Sequence, residues 1–320
     1  MFAEALESIL ADHSTPAVVR AVESGDASAA RKLWGTLTES GFLELLASES
    51  AGGAELPLPE LFPLIAAFGH HAVPVPAPQS IAARSLLGAH GIDIPEGMIT
   101  LASSPRALVP FGAISDFVIA DTDGDLVLMA CEGVERIATG VPGSLAAMLR
   151  WKASKPWARI VGAGSDVTLF GAALHGALLA GAMVRVFEMT LQYGNDRTQF
   201  GKSIGKFQAI QHQLSVMAEH VAAAGTAAEM AFTSAGPVPA RVATAIAKAR
   251  ASEAVTVVAS IAHAVHGAIG VTEEYDLQLY TRRMHEWRMA HGSEAYWNRV
   301  VGEAVLTRST GTIMDFARAP

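Results

Sequence analysis

The sequence predicts a mainly α fold with a small β domain. An N-terminal helical domain covers residues 1–95, a reduced middle β domain 96–165, and a C-terminal four-helix bundle 166–320. Three observations carry this. Ile204, Phe207, Ile210, Leu214, Met217 and Val221 recur at three- and four-residue steps, the stripe of a helix with one buried face. From about Met98 to Val161 the texture changes to short strand-like runs. The first ninety residues hold helix-spaced segments between Pro- and Gly-rich breaks.

Taken in order, Ser28–Ser40, Pro59–Gly69 and Ser80–Gly88 have helical spacing. Ser28 and Ser80 are of the type that caps a helix N-terminus, and Pro59 suits a first turn. PLPE and PVPAPQ are turn-rich connectors. In the middle region FVIAD, TDGD and LVLMA form a hairpin over residues 117–130, turning at Asp123-Gly124. Asp121, Asp123, Asp125 and Glu132 invite comparison with a calcium loop, but the glycine is misplaced for one and the flanking runs are strand-like. Helices are then expected over about 167–195, 204–232, 238–266, 274–289 and 293–309, with Gly236, Pro237 and Pro239 breaking the chain before the third. No internal repeat is visible.

Composition narrows the function classes. The chain is 51% hydrophobic, 17% charged, and has a mean hydropathy of +0.31, much of it from alanine. Helix-on-helix burial, including between subunits, is the expected outlet. A net charge of −8 argues against a nucleic-acid partner, because a phosphate backbone requires a basic face. The single cysteine, Cys131, excludes an internal disulfide and suits a reducing cytoplasm. The start MFAEALESIL lacks the basic region of a signal peptide. Val167–Val184 is long and uncharged enough to span a bilayer, yet it is Ala- and Gly-rich, contains Thr168 and His175, and runs into the polar stretch 185–196. It is read as a central bundle helix, with no membrane partner and a cytoplasmic location.

The segment RTQFGKSIGKFQAIQHQLSVMAEH, Arg197–His220, joins a polar turn to an amphipathic helix. A buried helix needs only its apolar stripe. The cluster of Arg197, Gln199 and Lys202 around Phe200 and Gly201 calls for its own explanation. Arginine forks onto phosphate oxygens, and a helix N-terminus favours the same anion. An ordinary solvated helix cap is the plainer alternative.

This segment, R-x-[TQ]-F-G followed by F-Q-A-I-Q-H and L-x-x-M-A, resembles the most specific motif of the acyl-CoA dehydrogenase family. HGAIGVTEEYDLQLYTRRMHEWRMAHGS, residues 266–293, is similar to that family's GGxGxTxEYPLExLYRDARxxxIYEGTS. The resemblance covers residues 168–309 and extends to 30–90 through GFLELLASESAGGAELPLPELFPLIAAFG. It implies the family's fold and an FAD-dependent desaturation of an acyl-CoA thioester. A base removes the α-proton, the flavin takes the β-hydride, and an electron-transfer acceptor reoxidises it.

The same resemblance locates the site residues. Counting from Glu274-Tyr275-Asp276, the glutamate of the YEGTS motif falls on His291. The position used by the minority of members whose glutamate lies on the helix before the arginine motif falls on Gly171, beside Ala172, with Asp166 the nearest carboxylate. A neutral imidazole is a competent base near pH 7, so His291 is the candidate catalytic residue, set against a tolerated polar residue at a vacant site. His263, His266, His285 and His291 lack paired cysteines or an HExxH arrangement, and no metal site is expected.

The implied cofactor residues divide into two sets. Family tetramers build each flavin site across a subunit contact. The arm that reaches over to a neighbour's flavin is retained as Arg197, Gln199, Phe200 and Gln208. The family's Q-x-x-G-G reads Ala264-Val265-His266-Gly267-Ala268, keeping Gly267 but not the glutamine. In the owning set Ser293 keeps a hydroxyl, while Trp297 stands where a glutamine is expected. No flavin-contacting T-E-P-G-x-G-S-D stretch opens the β domain, and GAGSD at 162–166 abuts the long helix by coincidence.

Three readings remain open. In the first, the chain is a subunit of a heteromeric dehydrogenase, a dimer or α2β2 tetramer, whose second acyl-CoA dehydrogenase-type subunit carries the base. Such pairs in the family serve bulky steroid side-chain thioesters. In the second it is a self-sufficient homo-oligomeric enzyme using His291. In the third it is a flavin-free assembly subunit.

Overall fold

The computed structural model describes residues 2–49, 52–151, 155–308 and 311–318. Ser50 and Ala51 of the 41–69 segment, Lys152–Ser154 of the middle region, and Ser309 at the expected end of the last bundle helix lie outside the described residues.

The N-terminal region is helical: α1 (Phe2–His13), α2 (Pro16–Glu23), α3 (Ala27–Glu39), α4 (Leu58–His70) and α5 (Ala77–Ala89). The cap of α3 is Asp26, not Ser28. The Asp26 carboxylate accepts from the backbone N–H groups of Ser28 and Ala29 at 2.9 and 3.0 Å, so the helix starts a residue before Ser28. Pro59 does lie in the first turn of α4. Ser80 is no cap either: α5 begins at Ala77, and the buried Ser80 hydroxyl donates to Ile99 O at 2.7 Å. That bond ties α5 to the first strand.

The middle region holds β1 (Ile99–Ala102), β2 (Leu108–Val109), β3 (Phe117–Thr122), β4 (Asp125–Ala130), β5 (Glu135–Ala138), β6 (Ala147–Arg150) and β7 (Ala158–Ile160). One sheet has the order β1-β3-β4-β7 and another β2-β6-β5. The 117–130 hairpin is present, with Thr122 opposite Asp125. Asp123 and Gly124 have φ of 55° and 90°, a two-residue turn whose twist matches the strands. Asp121 accepts from Gly124 N–H at 2.9 Å, and Asp125 accepts from Gly162 N–H at 2.9 Å and pairs with Arg159 at 2.7 Å. Gly162 therefore docks the entry of the long helix onto the hairpin.

The C-terminal region contains α6 (Gly164–Asp196), α7 (Gln208–Met230), α8 (Arg241–His266), α9 (Leu277–Met289), α10 (Glu294–Thr307) and α11 (Ile313–Arg318). Between α6 and α7 lie a short hairpin, β8 (Thr198–Gln199) and β9 (Lys202–Ser203), and a 3-10 turn at Ile204–Lys206. The helix expected from 204 thus starts at 208. Phe207 is extended at φ −87°, ψ 132°, and Ile204 buries in the turn instead. Leu214, Met217 and Val221 form the buried face of α7.

The long helix α6 is the axis of the fold, packed by α4, α7, α8 and α9. Close approach makes this work: a Cβ on Gly181 would sit 1.8 Å from Ala66 O of α4. By length and composition two helical segments, Gly164–Asp196 and Arg241–Val271, could cross a membrane. The apolar window of the first is 83% buried inside the fold, as expected of a core helix.

Candidate functional site

The predicted site residues separate to opposite ends of α6. At its C-terminal end Arg197 caps the helix, its backbone N–H donating to Tyr193 O at 2.9 Å and its carbonyl accepting from Ile204 N–H at 2.8 Å. These two bonds fix where the arm leaves the helix. Its guanidinium is exposed and makes no ion pair among the described residues. Gln199 and Phe200 follow on the β8–β9 hairpin. Phe200 has φ 51° and is 91% exposed, an unusual position for a large aromatic side chain. Lys202 Nζ lies 4.3 Å above the Phe207 ring, which holds the ammonium beside the arm. Gln208 is exposed in the first turn of α7, where free backbone N–H groups point outwards.

Gly267 belongs to this end. It closes α8 at φ 65°, one residue after His266. The His266 ring stacks on Tyr193 of α6 at 4.5 Å and packs on Tyr275 at 5.2 Å. Its Nδ1 donates to Ala262 O at 2.7 Å, and burial lowers its pKa. The histidine inside the Q-x-x-G-G equivalent is therefore a core ring supporting the arm.

His291 and Ser293 lie at the other end, in the loop joining α9 to α10. His291 has φ 52° and is buried, 5% exposed. Its Nε2 donates to Leu101 O at 3.1 Å, linking the loop to β1, while Nδ1 has no partner. The ring packs 5.2 Å from that of His175, whose Nδ1 donates to Gly171 O at 2.7 Å. Burial pushes the His291 pKa down to about 4, despite the bond to Leu101, with nearby Lys248 acting in the same direction as burial. The imidazole is thus neutral at physiological pH, and a weak base.

Two residues that sequence reasoning missed hold this loop. Lys248 of α8 is fully buried, donating to Arg288 O at 2.7 Å, Gly292 O at 3.0 Å and Ser252 Oγ at 2.9 Å. Burial lowers its pKa to about 7. Trp297, considered only as a missing glutamine, is also fully buried and donates from Nε1 to His291 O at 2.9 Å. A lone lysine within the Ala-rich run of α8 was the available signal. Ser293 is the N-cap of α10, with its hydroxyl making no capping bond. An apolar cleft of about 310 Å³ passes between Leu108, Val141, Pro142 and Met289. His291 does not line it.

Among the described residues the four histidines considered as metal ligands do not group at ligand distance. His263 pairs with Thr281 at 3.1 Å, and His291 lies in the core beside His175.

Comparison with known proteins gives a consistent placement. Residues 167–306 match the family model described as acyl-CoA dehydrogenase, C-terminal domain. The chain is 32% identical over 295 residues to acyl-CoA dehydrogenase IpdE2 of Mycobacterium tuberculosis, covering 89% of this chain and 90% of that protein. Its fold is shared with a variant of the Tcur3481-Tcur3483 steroid ACAD, at TM-score 0.85 and 23% identity, covering 95% of this chain and 96% of that one. The ChsE4-ChsE5 complex from Mycobacterium tuberculosis matches at TM-score 0.83 and 23% identity, covering 96% and 97%. The chain belongs to the acyl-CoA dehydrogenase family, oxidoreductases that act on CH–CH bonds.

Proposed function

We propose that this chain is one subunit of a heteromeric, FAD-dependent acyl-CoA dehydrogenase that desaturates a bulky, steroid-type CoA thioester. Its arm completes a flavin site whose base belongs to a second acyl-CoA dehydrogenase-type subunit. The observation that carries this reading is the enclosure of His291 at the base position, in a chain that keeps an exposed arm at the other end of α6. From Gly171 to Arg197 the helix rises about 39 Å, at about 1.5 Å per residue.

The residues at the arm fit the anionic and aromatic part of a dinucleotide. Arg197 is a cation with no ion pair among the described residues, Phe200 an exposed ring, and Gln199 and Gln208 exposed amides beside a helix N-terminus. Arg197 would hold the diphosphate, with Gln199, Phe200 and Gln208 beside it at the nucleotide end. Bound flavin supplies the hydride acceptor for the desaturation.

The base end supports assigning proton removal to the partner. His291 is enclosed by α6, β1 and its own loop, has a pKa near 4, and does not face the adjoining cleft. Two neighbours of the same fold, the Tcur3481-Tcur3483 steroid ACAD and the ChsE4-ChsE5 complex, favour the same arrangement. Co-expression with a glutamate-bearing subunit of the family tests it. The complex should be yellow and reduced by a steroid-type acyl-CoA, while the lone chain should be colourless. A yellow, fully active homo-oligomer would overturn the proposal.

A further inference from the structure

Two adjacent histidines at the end of α4 meet a glutamate of α1. The ligating atoms of Glu7, His70 and His71 lie within 4.8 Å of one another. We propose that these three residues form a binding site for a divalent transition-metal cation of the zinc class, joining α1 to α4.

The donor set selects the metal. Two imidazoles and one carboxylate suit zinc and its neighbours, whereas calcium and magnesium prefer all-oxygen sets and copper(I) prefers sulfur. His70 presents a further feature of histidine metal ligands. Its Nε2 lies 2.9 Å from the Glu188 carboxylate, while Nδ1 is shielded from solvent and has no partner. A carboxylate on one nitrogen orients the ring and raises the basicity of the other. The unpartnered nitrogen is the one left to bind metal.

The surroundings favour a cation. His70 is the last residue of α4 and His71 its C-cap, where the helix dipole attracts positive charge. Glu7 and Glu188 contribute two negative charges, against one from Arg185, which lies 3.6 Å from Glu188. The scaffold is firm. Leu6 and Leu10 are fully buried on either side of Glu7, and the His71 N–H donates to Ala67 O at 3.0 Å. The side chains themselves can adjust, being 47% exposed for Glu7, 25% for His70 and 17% for His71. A tetrahedral ion with bonds of about 2.1 Å needs its ligands about 3.4 Å apart. Glu7 and His71, now 2.5 Å apart, would open around the ion. A fourth position would remain for water.

Calorimetric titration of zinc chloride into the metal-stripped full chain, with thermal unfolding in parallel, tests the site. One equivalent should bind and raise the unfolding midpoint, and chelator should reverse both. Glu7→Gln and His71→Asn should each weaken binding at least about tenfold, and Glu188→Gln by about 10–100-fold. His90→Asn, at an exposed histidine elsewhere, should leave binding unchanged. If His71→Asn does not fold, Glu7→Gln decides alone, since its carboxylate is half exposed. Failure of the wild-type chain to bind zinc, or undiminished binding in Glu7→Gln, would overturn the proposal.

Discussion

The His291 ring occupies the space that any side chain at Gly171 would need: a Cβ on Gly171 would lie 2.1 Å from His291 Nδ1. The sequence offered these positions as alternative homes for the family's glutamate. In the fold they are one place, approached from α6 and from the α9–α10 loop. With His291 present, Gly171 must stay bare. Gly171→Ala should therefore destabilise the chain by about 1–3 kcal/mol through overpacking. His291→Gly tolerates the loop's positive φ and frees the space. In the double variant the two costs should fall short of additivity by about 0.5–3 kcal/mol, measured by urea unfolding. Strictly additive costs would show that the ring does not fill that space.

The same burial makes stability depend on pH. The folded pKa of His291, about 4, lies below its ordinary value of 6.5, so the unfolded chain takes the proton first. The stability this provides is complete above pH 6.5 and is lost as pH falls to 4. Its full size is roughly 3 kcal/mol, at about 1.36 kcal/mol per pH unit. His175 is depressed in the same direction by burial. Lys248, with a folded pKa near 7, is charged in both states below that pH and adds little slope in this window. The stability difference between wild type and His291→Asn should therefore narrow as pH falls from 7 to 4. Parallel curves would contradict the assignment.

Much of this architecture was legible because its signals are local. Apolar spacing placed α6 to α10 to within a few residues, and the Asp123-Gly124 turn marked its hairpin. Caps were less legible. Asp26 competed with Ser28 for one helix end, and Ser80 spends its hydroxyl on Ile99, a residue in another element. The division into an arm and a base position was visible from motif spacing, and the helix expected over 167–195 already implied their separation along α6, which runs unbroken for 33 residues. The enclosure of His291 was hidden because Leu101, His175, Lys248 and Trp297 come from four separate parts of the chain. Glu7 and His71 are likewise 64 residues apart and carry no spacing motif.

Glu23 joins two arginines of α9 to α2. Its carboxylate oxygens lie 2.8 Å from Arg282 Nη2 and 2.9 Å from Arg283 Nε. The Glu23 and Arg283 side chains are only 5% and 8% exposed, so neither charge has water to fall back on. Arg283 also donates to Val73 O at 2.8 Å, which brings the connection between α4 and α5 into the same junction. Glu23→Gln should cost about 3–5 kcal/mol by leaving a buried guanidinium without its counter-charge. Added salt should change this cost little, because a buried pair is poorly screened. A cost below about 1 kcal/mol, or one that vanishes in high salt, would place the pair in the class of surface ion pairs.

Arg197 provides the direct test of the arm. A charge-assisted bond to phosphate is worth about 1.5–3 kcal/mol, so Arg197→Ala should weaken flavin binding by the proposed heteromeric complex about tenfold to a hundredfold. Arg197→Lys should recover only part of this, since an ammonium cannot fork onto two oxygens. Phe200→Ala should add a smaller loss and should not change thermal stability, because a ring that is 91% exposed contributes nothing to the core of the isolated chain. Flavin fluorescence on dilution of the complex measures the first two effects, and unfolding of the lone chain the third. The contrast between them is decisive. A residue that served only its own fold would lower stability in the lone chain and leave flavin retention untouched. Arg197 should do the reverse, because its guanidinium makes no ion pair among the described residues.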